Sequence, residues 1–427
     1  MNEKLFDFIK RSPSAYHAIS SAAAELEASG LSPLSEGAAW RIEHGRGYFT
    51  TRNGSSIIAF KIPEGDPSGF MISAAHSDSP CFKIKENPEF KDKSFIRLST
   101  EKYGGMLMAT WLDRPLSIAG RVAVKTEDGV ETRLVDFVRP VAVIPSVAIH
   151  MNRSANDSAS YNPAVDMVPL AGIESDFSVK KEAARLAGVP EDQLLAHDLF
   201  LYNPQPGAEW NGAISSPRLD DLQCAFSSLE AFKNSTPRGA ISVCCRFDNE
   251  EVGSATKQGA ASTFLADTLE RIYRALGKTD EDFKRALASG MMASCDNAHS
   301  VHPNHPEYSD RNCKVVMNGG VVIKYNANQR YTTDAVSSAL FKVICERAGV
   351  PTQSYANRPD IPGGSTLGSI ANTKVPVNTV DIGLAQLSMH SSYETAGGAD
   401  TEYLVRALEE FFSSSVVSTE DGKYTVR

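Results

Sequence analysis

Residues 69–80 read GFMISAAHSDSP. The first half is a short, nearly continuous apolar run, the pattern of a strand buried on both faces. The second half abruptly supplies an imidazole, a carboxylate and two hydroxyls. Three further segments repeat the arrangement. ISVCCRF (241–247) runs into Asp248-Asn249-Glu250-Glu251, MMASC (291–295) runs into Asp296-Asn297-Ala298-His299, and VNTVDIG (377–383) leads after a short loop to His390. In open α/β sheets, sites form beyond the carboxyl ends of the strands. Four stretches far apart in the chain are therefore predicted to meet.

The sequence around these runs supports such a sheet. After Trp210, helical patterns alternate with strands: LDDLQCAFSSLEAFKN, STFLADTLERIYRALG, DAVSSALFKVICERAG and TEYLVRALEEFFSSS read as helices, and GMMASC, VVMNGGVVIKY and VPVNTVDIG as strands. Alternation of this kind implies an α/β domain around a largely buried sheet. Near the N-terminus, a helix is predicted after Ser14, with Ala15, Ile19, Ala22, Ala23 and Leu26 on one stripe and Gly30 as its stop. YFTTR and SSIIAFKI follow as strands. Between about Asn87 and Gly207 the character changes to many prolines, short alternating segments (RVAVKT, ETRLVDF, PVAVIP) and one clear helix near Val179–Leu186. The expected organisation is a discontinuous α/β domain, 1–87 and 208–427, interrupted by a β-rich insert, 88–207.

Composition narrows the function. The 427 residues carry 43 Lys and Arg against 52 Asp and Glu, a net charge of −9, which argues against a nucleic-acid partner. No apolar run approaches the roughly 20 residues that span a bilayer, and MNEKLFDFIKRSPSAYHAI lacks the apolar centre of a signal peptide. Seven cysteines without a CxxC pair read as free, buried thiols in a reducing cytoplasm.

Imidazole and carboxylate together suit zinc, cobalt or manganese. His76, His390 and several carboxylates exceed what one tetrahedral zinc needs; they fit two ions ~3.5–4 Å apart. Asp220, in SPRLDDL, is the best candidate for a bridging carboxylate, and Asp221 is its rival on spacing alone. Glu250 and Glu251 can divide the work, one as a ligand and one as a general base. To bring both to one site the chain must leave the extended form, because neighbouring side chains on a strand point to opposite faces. Asp78 is placed to accept the second ring N–H of His76. Singly, each piece has a plain structural explanation: a strand-end turn, a helix-start acid, a solvated acidic loop. The functional expectation rests on their combination.

At these residues the sequence resembles the aspartyl aminopeptidase family, dinuclear zinc exopeptidases. The matching pieces, in family order, are SPSAYHA (12–18), HSDSP (76–80), SPRLDDL (216–222), FDNEEVGS (247–254), SCDNAHSVHPNH (294–305), KYNANQRY (324–331), DIPGGSTLG (360–368) and SMHSSYETAGGAD (388–400). The resemblance implies a phosphorylase/hydrolase-like mixed sheet flanked by helices. It implies that His76 and Asp296 bind one metal, that Glu251 and His390 bind the other, that Asp220 bridges and that Glu250 is the base, with Asp78 orienting His76. It further implies that Lys324 and Tyr331 meet the substrate, Lys324 facing an acidic side chain. The insert matches the family's dimerisation domain, and the family's assembly is a dodecamer built from dimers. His150 corresponds to a histidine given to a neighbouring subunit's site. The implied activity is removal of an N-terminal residue, Asp or Glu, from peptides with a free N-terminus, using two divalent ions, zinc first and manganese or cobalt as alternatives. The rivals are a broad or neutral-residue aminopeptidase or deacylase on the same chemistry, and an inactive metal-binding scaffold. HSDSP carries Ser77 where relatives often have Thr.

Overall fold

The computed structural model describes residues 1–427. A nine-stranded mixed sheet forms its centre, in the order Ser32–Pro33, Gly47–Arg52, Ser56–Lys61, Ile241–Phe247, Phe70–His76, Met291–Cys295, Asn378–Gly383, Val321–Tyr325, Thr352–Ala356. Ile241–Phe247, Phe70–His76, Met291–Cys295 and Asn378–Gly383 are adjacent and parallel. Register aligns their ends, with Phe247 opposite His76 and Cys295 opposite Ile382. The polar segments that follow these strands therefore leave the sheet at one edge.

Helices cover both faces, as burial on both sides of these strands requires. Ala15–Ala28, Leu219–Asn234, Ala335–Ala348 and Asp400–Ser413 pack on one face, around Leu229, Phe232, Phe341, Leu408 and Phe411. Phe264–Ala275, Asp280–Ala288 and Leu367–Ala371 pack on the other, around Phe264, Leu269 and Ile272. Strand side chains alternate between the two cores: Met71 and Ala75 face the first, Ile72 and Ala74 the second. The fold is the expected phosphorylase/hydrolase-like α/β class.

A second, wholly antiparallel sheet of six strands has its own core around Phe82, Leu98, Trp111, Ile118 and Leu199. Its order is Val130–Asp136, Ser117–Lys125, Leu194–Tyr202, Cys81–Asp92, Phe95–Tyr103, Leu170–Ile173. Residues 81–87, grouped by sequence with the main domain, are hydrogen-bonded into this sheet through the pairing of Cys81 with Tyr103 and Ile84 with Thr100. PVAVIP contributes isolated bridges, Ala142 with Leu116 and Ile144 with Leu112, and no full strand. VVMNGGVVIKY holds a strand only from Val321, because the chain turns through positive φ at Asn318 and Gly320. A helix at Asn2–Lys10 precedes the one expected after Ser14. All seven cysteines are free, five of them buried. No helix is long and apolar enough to cross a membrane.

Candidate metal centre

His76 closes its strand, and its Nε2 lies 3.6 Å from Asp220 Oδ1. His390 Nε2 lies 3.4 Å from Asp220 Oδ2 and 3.5 Å from Glu251 Oε2. One carboxylate thus stands between two imidazoles, one oxygen toward each. Ligand atoms of His76, Asp220, Asp221 and Asp296 lie within 4.8 Å of one another, as do those of Asp220, Glu251 and His390, and those of His76, Glu250 and Glu251. Only Asp220 belongs to both of the groups that are completed by Asp296 on one side and His390 on the other.

Local backbone explains how these side chains arrive. Asp220 and Asp221 fall at a helix start, but both carry non-helical torsions, and the regular helix begins after them. The Asp220 N–H donates to Glu394 Oε2 at 3.0 Å instead of entering a helical ladder. After Phe247 the chain leaves the extended form as expected, through left-handed Asn249 (φ 64°), a tight turn at Glu250–Val252 and Gly253 (φ 96°). His390 itself sits at φ 66°, a costly conformation for a residue with a Cβ. Its N–H donates to Glu394 Oε1 at 2.7 Å, so Glu394 holds the backbone of both Asp220 and His390.

The two rings are oriented through Nδ1. His76 Nδ1 lies 3.1 Å from the Asp78 carbonyl and 3.4 Å from Asp78 Oδ1. His390 Nδ1 donates to the Gly105 carbonyl. In a neutral ring, an Nδ1–H given to an oxygen leaves Nε2 as the lone-pair nitrogen, and both Nε2 atoms face Asp220. The Asp78 carboxylate also accepts the N–H groups of Glu250 and Glu251, each at 3.2 Å, and the Tyr103 hydroxyl at 2.6 Å.

The residues fit a cation. Asp220 Oδ1, Asp221 Oδ1 and Glu251 Oε1 are buried without any hydrogen-bond partner, which is costly unless something positive meets them. Burial pushes the Glu250 carboxyl up to about 7 and that of Glu394 to about 8. Burial opposes charge on His390, but Asp220 and Glu251 outweigh it and lift the imidazole to about 10. The Asp220 carboxyl is likewise opposed by burial, and His390 with His76 holds it well below its usual range.

These shifts carry a sign. Glu250, Glu394 and His390 all keep protons in the metal-free fold at pH values where the unfolded chain has lost them. The folded state then binds more protons from about pH 4.5 up to about pH 10, so its stability falls as pH rises through that window. The urea midpoint of the metal-free protein should therefore fall steadily across that window. Saturating zinc should reverse the trend, since ligation needs the deprotonated groups. Urea midpoints at pH 5.5, 7 and 8.5, with and without zinc, check this; a midpoint that climbs with pH in the metal-free protein would contradict it.

Of the other expected residues, Lys324 is 2% exposed. Its Nζ lies 3.6 Å from Asp296 Oδ1, donates to the Asn297 carbonyl at 3.1 Å and stands 5.4 Å above the Tyr331 ring. Arg330, six residues further along and also a cation, donates to the Gly363 carbonyl. His150 is exposed on a turn of the insert and joins none of the three ligand groups. Tyr103, Glu394 and Asp381 belong to this hydrogen-bonded surround as well, and no sequence pattern marks their roles. Asp381 accepts the N–H and hydroxyl of Thr332 (2.6 and 2.7 Å) and the Thr366 hydroxyl (2.5 Å), tying the loop after Tyr331 to the glycine-rich turn. Glu394 stood within a quoted motif, and only its hydrogen bonds distinguish it.

An α/β sheet that collects imidazoles and carboxylates at one edge defines a metal-dependent hydrolase. A model of the family described as Aminopeptidase I zinc metalloprotease (M18) matches residues 8–412. The chain is 43% identical over 423 residues to a probable M18 family aminopeptidase 2 of Clostridium novyi (strain NT), covering 96% of this chain and 98% of that protein. Its fold superposes on a chain of the Ape4 and Nbr1 complex with a TM-score of 0.92 at 36% identity, covering 96% of this chain and 84% of that one. It superposes on the S. cerevisiae mApe1 dodecamer with a TM-score of 0.83 at 29% identity, covering 96% and 95%. The chain belongs to the M18 family of zinc aminopeptidases.

Proposed function

We infer that this aminopeptidase removes N-terminal Asp or Glu from peptides with a free N-terminus, using two divalent ions, zinc in the first instance. The supporting observation is Asp220, one oxygen toward His76 and the other toward His390. His76 and Asp296 would hold one ion, Glu251 and His390 the other, with Asp220 shared. Such a pair lowers the pKa of water and polarises a carbonyl.

The chain's own groups do the rest. Glu250, half-buried beside His76 and Glu251, takes a proton from the attacking water and delivers it to the leaving amine. Asp78 fixes the His76 ring and the Glu250–Glu251 turn at once. Lys324, with Tyr331 beneath its ammonium, presents positive charge to an acidic side chain. His150, on its exposed turn, is available to the site of a second copy, with assembly through the inserted sheet into dimers and then a dodecamer; the similar mApe1 is a dodecamer. Seven free thiols suit the cytoplasm.

One observation favours a second specificity. Lys324 is already beside Asp296, so its charge is partly engaged, and a neutral first residue would suit that pocket. The assay that separates these readings runs Asp-, Glu-, Leu- and Ala-anilides beside N-acyl amino acids, with zinc, manganese and cobalt. Cleavage confined to the N-acyl series, or none with any metal, would overturn the proposal. Lys324→Ala should cost acidic substrates roughly tenfold to hundredfold more than neutral ones, the worth of one hydrogen bond to a charged group. Some loss on every substrate is expected as well, because Asp296 loses its neighbour. Equal losses would remove Lys324 from the specificity pocket.

A further inference from the structure

The inserted sheet reaches the metal centre through one short turn. Tyr103 ends the Phe95–Tyr103 strand, with its ring edge-on to Phe200 of the same sheet at 5.7 Å. Its hydroxyl donates to Asp78 Oδ2 at 2.6 Å and accepts from Asn249 Nδ2 at 2.9 Å. Gly104 follows at φ 75°, and a Cβ placed there would lie 3.1 Å from Glu251 Cβ and 3.4 Å from Glu251 Oε2. Gly105 offers its carbonyl to His390 Nδ1, and the Leu107 N–H donates to the His390 carbonyl at 3.0 Å. Three successive residues thus meet three different elements of the centre: the Asp78 carboxylate, 3.4 Å from the His76 ring, the side chain of Glu251, and the ring of His390.

We propose that Tyr103-Gly104-Gly105 is a positioning clasp by which the inserted sheet sets the metal affinity of the site. Ordinary packing between two sheets would place apolar side chains at such a junction. Here the contacts fall on polar groups of the centre: the carboxylate beside the His76 ring, the Glu251 side chain, and the ring proton of His390. Tyr103 lends Asp78 a short hydroxyl donor, so the carboxylate is held while it faces the His76 ring and both glutamate N–H groups. Gly104 has the one side chain that permits both the left-handed turn and the approach to Glu251. The Gly105 carbonyl fixes the His390 tautomer, leaving Nε2 toward Asp220 and Glu251. Whatever shifts the inserted sheet, including its assembly with another copy, is thereby transmitted to the ligands. The inference rests on the two-ion reading above.

The test is metal binding by the full chain, measured apart from catalysis. Tyr103→Phe removes one oxygen and keeps the ring against Phe200. Glu101→Gln, an exposed position on the same strand, is the control. Metal-free proteins are titrated with cobalt, followed by visible absorption and by competition with a chelator. Tyr103→Phe should bind at least one ion about tenfold more weakly or worse, the usual cost of losing an outer partner, with altered cobalt bands, a lower kcat and little change in KM. Glu101→Gln should match the unsubstituted protein. Wild-type cobalt affinity and spectrum in Tyr103→Phe would overturn the clasp. Gly104→Ala supplies a second arm: it should lower occupancy of the position served by Glu251, and full occupancy there would also count against the proposal. If Tyr103→Phe does not fold, as judged by its circular dichroism, this arm decides. Uptake of one ion by the unsubstituted protein would instead sink the two-ion reading, and the clasp would then stand or fall on the affinity ratio for that single ion.

Discussion

Glu250→Gln should retain both ions and lose almost all turnover, with kcat falling about a thousandfold or more. General bases contribute typically 10²–10⁴-fold, and glutamine has the shape of glutamate without its basicity. Glu250 stands in a ligand group with His76 and Glu251, yet it is absent from the two groups that share Asp220. Its N–H, held by Asp78, is unaffected by the substitution, so the turn should keep its course. Metal content and cobalt spectra should match those of the unsubstituted protein, and KM should change little. Near-normal turnover with both ions present would exclude Glu250 as the base, and Glu251 would then have to be reconsidered.

Asp220→Asn should have the second large effect, and through a different quantity. An amide offers one oxygen and one NH₂ group, and the NH₂ repels a cation. Because each Asp220 oxygen faces a different imidazole, either orientation of the amide spoils one position. The backbone is insulated from the change, since the Asp220 N–H and carbonyl are fixed by Glu394 and Ser79. Metal content after dialysis should drop from two ions per chain to one or fewer. Affinity should fall beyond the hundredfold that loss of an outer partner can reach, and activity should fall with it. Retention of two tightly held ions in Asp220→Asn would remove Asp220 as the shared ligand and return attention to Asp221.

The contrast between these variants separates chemistry from assembly of the site. It also shows which parts of the centre could be seen in the chain itself. The central strands were legible because burial on both faces forces continuous apolar runs, and each run stops where Asp, Glu or His begins. His76, Glu250, Glu251, Asp296 and His390 lie at such stops or just beyond them. Asp220 was legible as an acid at a helix start, though its non-helical backbone was not. Tyr103 and Glu394 were hidden, because Tyr103 acts on distant Asp78, and Glu394 acts by joining nearby His390 to distant Asp220. The Cys81–Asp92 strand escaped notice since its register shifts between Ile84 and Glu89 and its middle is charged. The helix at Asn2–Lys10 was overlooked although it buries Leu5, Phe8 and Ile9.

The candidate ligands run from His76 to His390 and come from strand ends, a helix start and a late loop. The loop carrying His390 is laid down only after the other ligands, just ahead of the helix Asp400–Ser413. During synthesis the growing polypeptide therefore has no competent centre until that loop has emerged and docked. Any product truncated before His390 lacks one of the candidate ligands and should take up less metal and show no turnover.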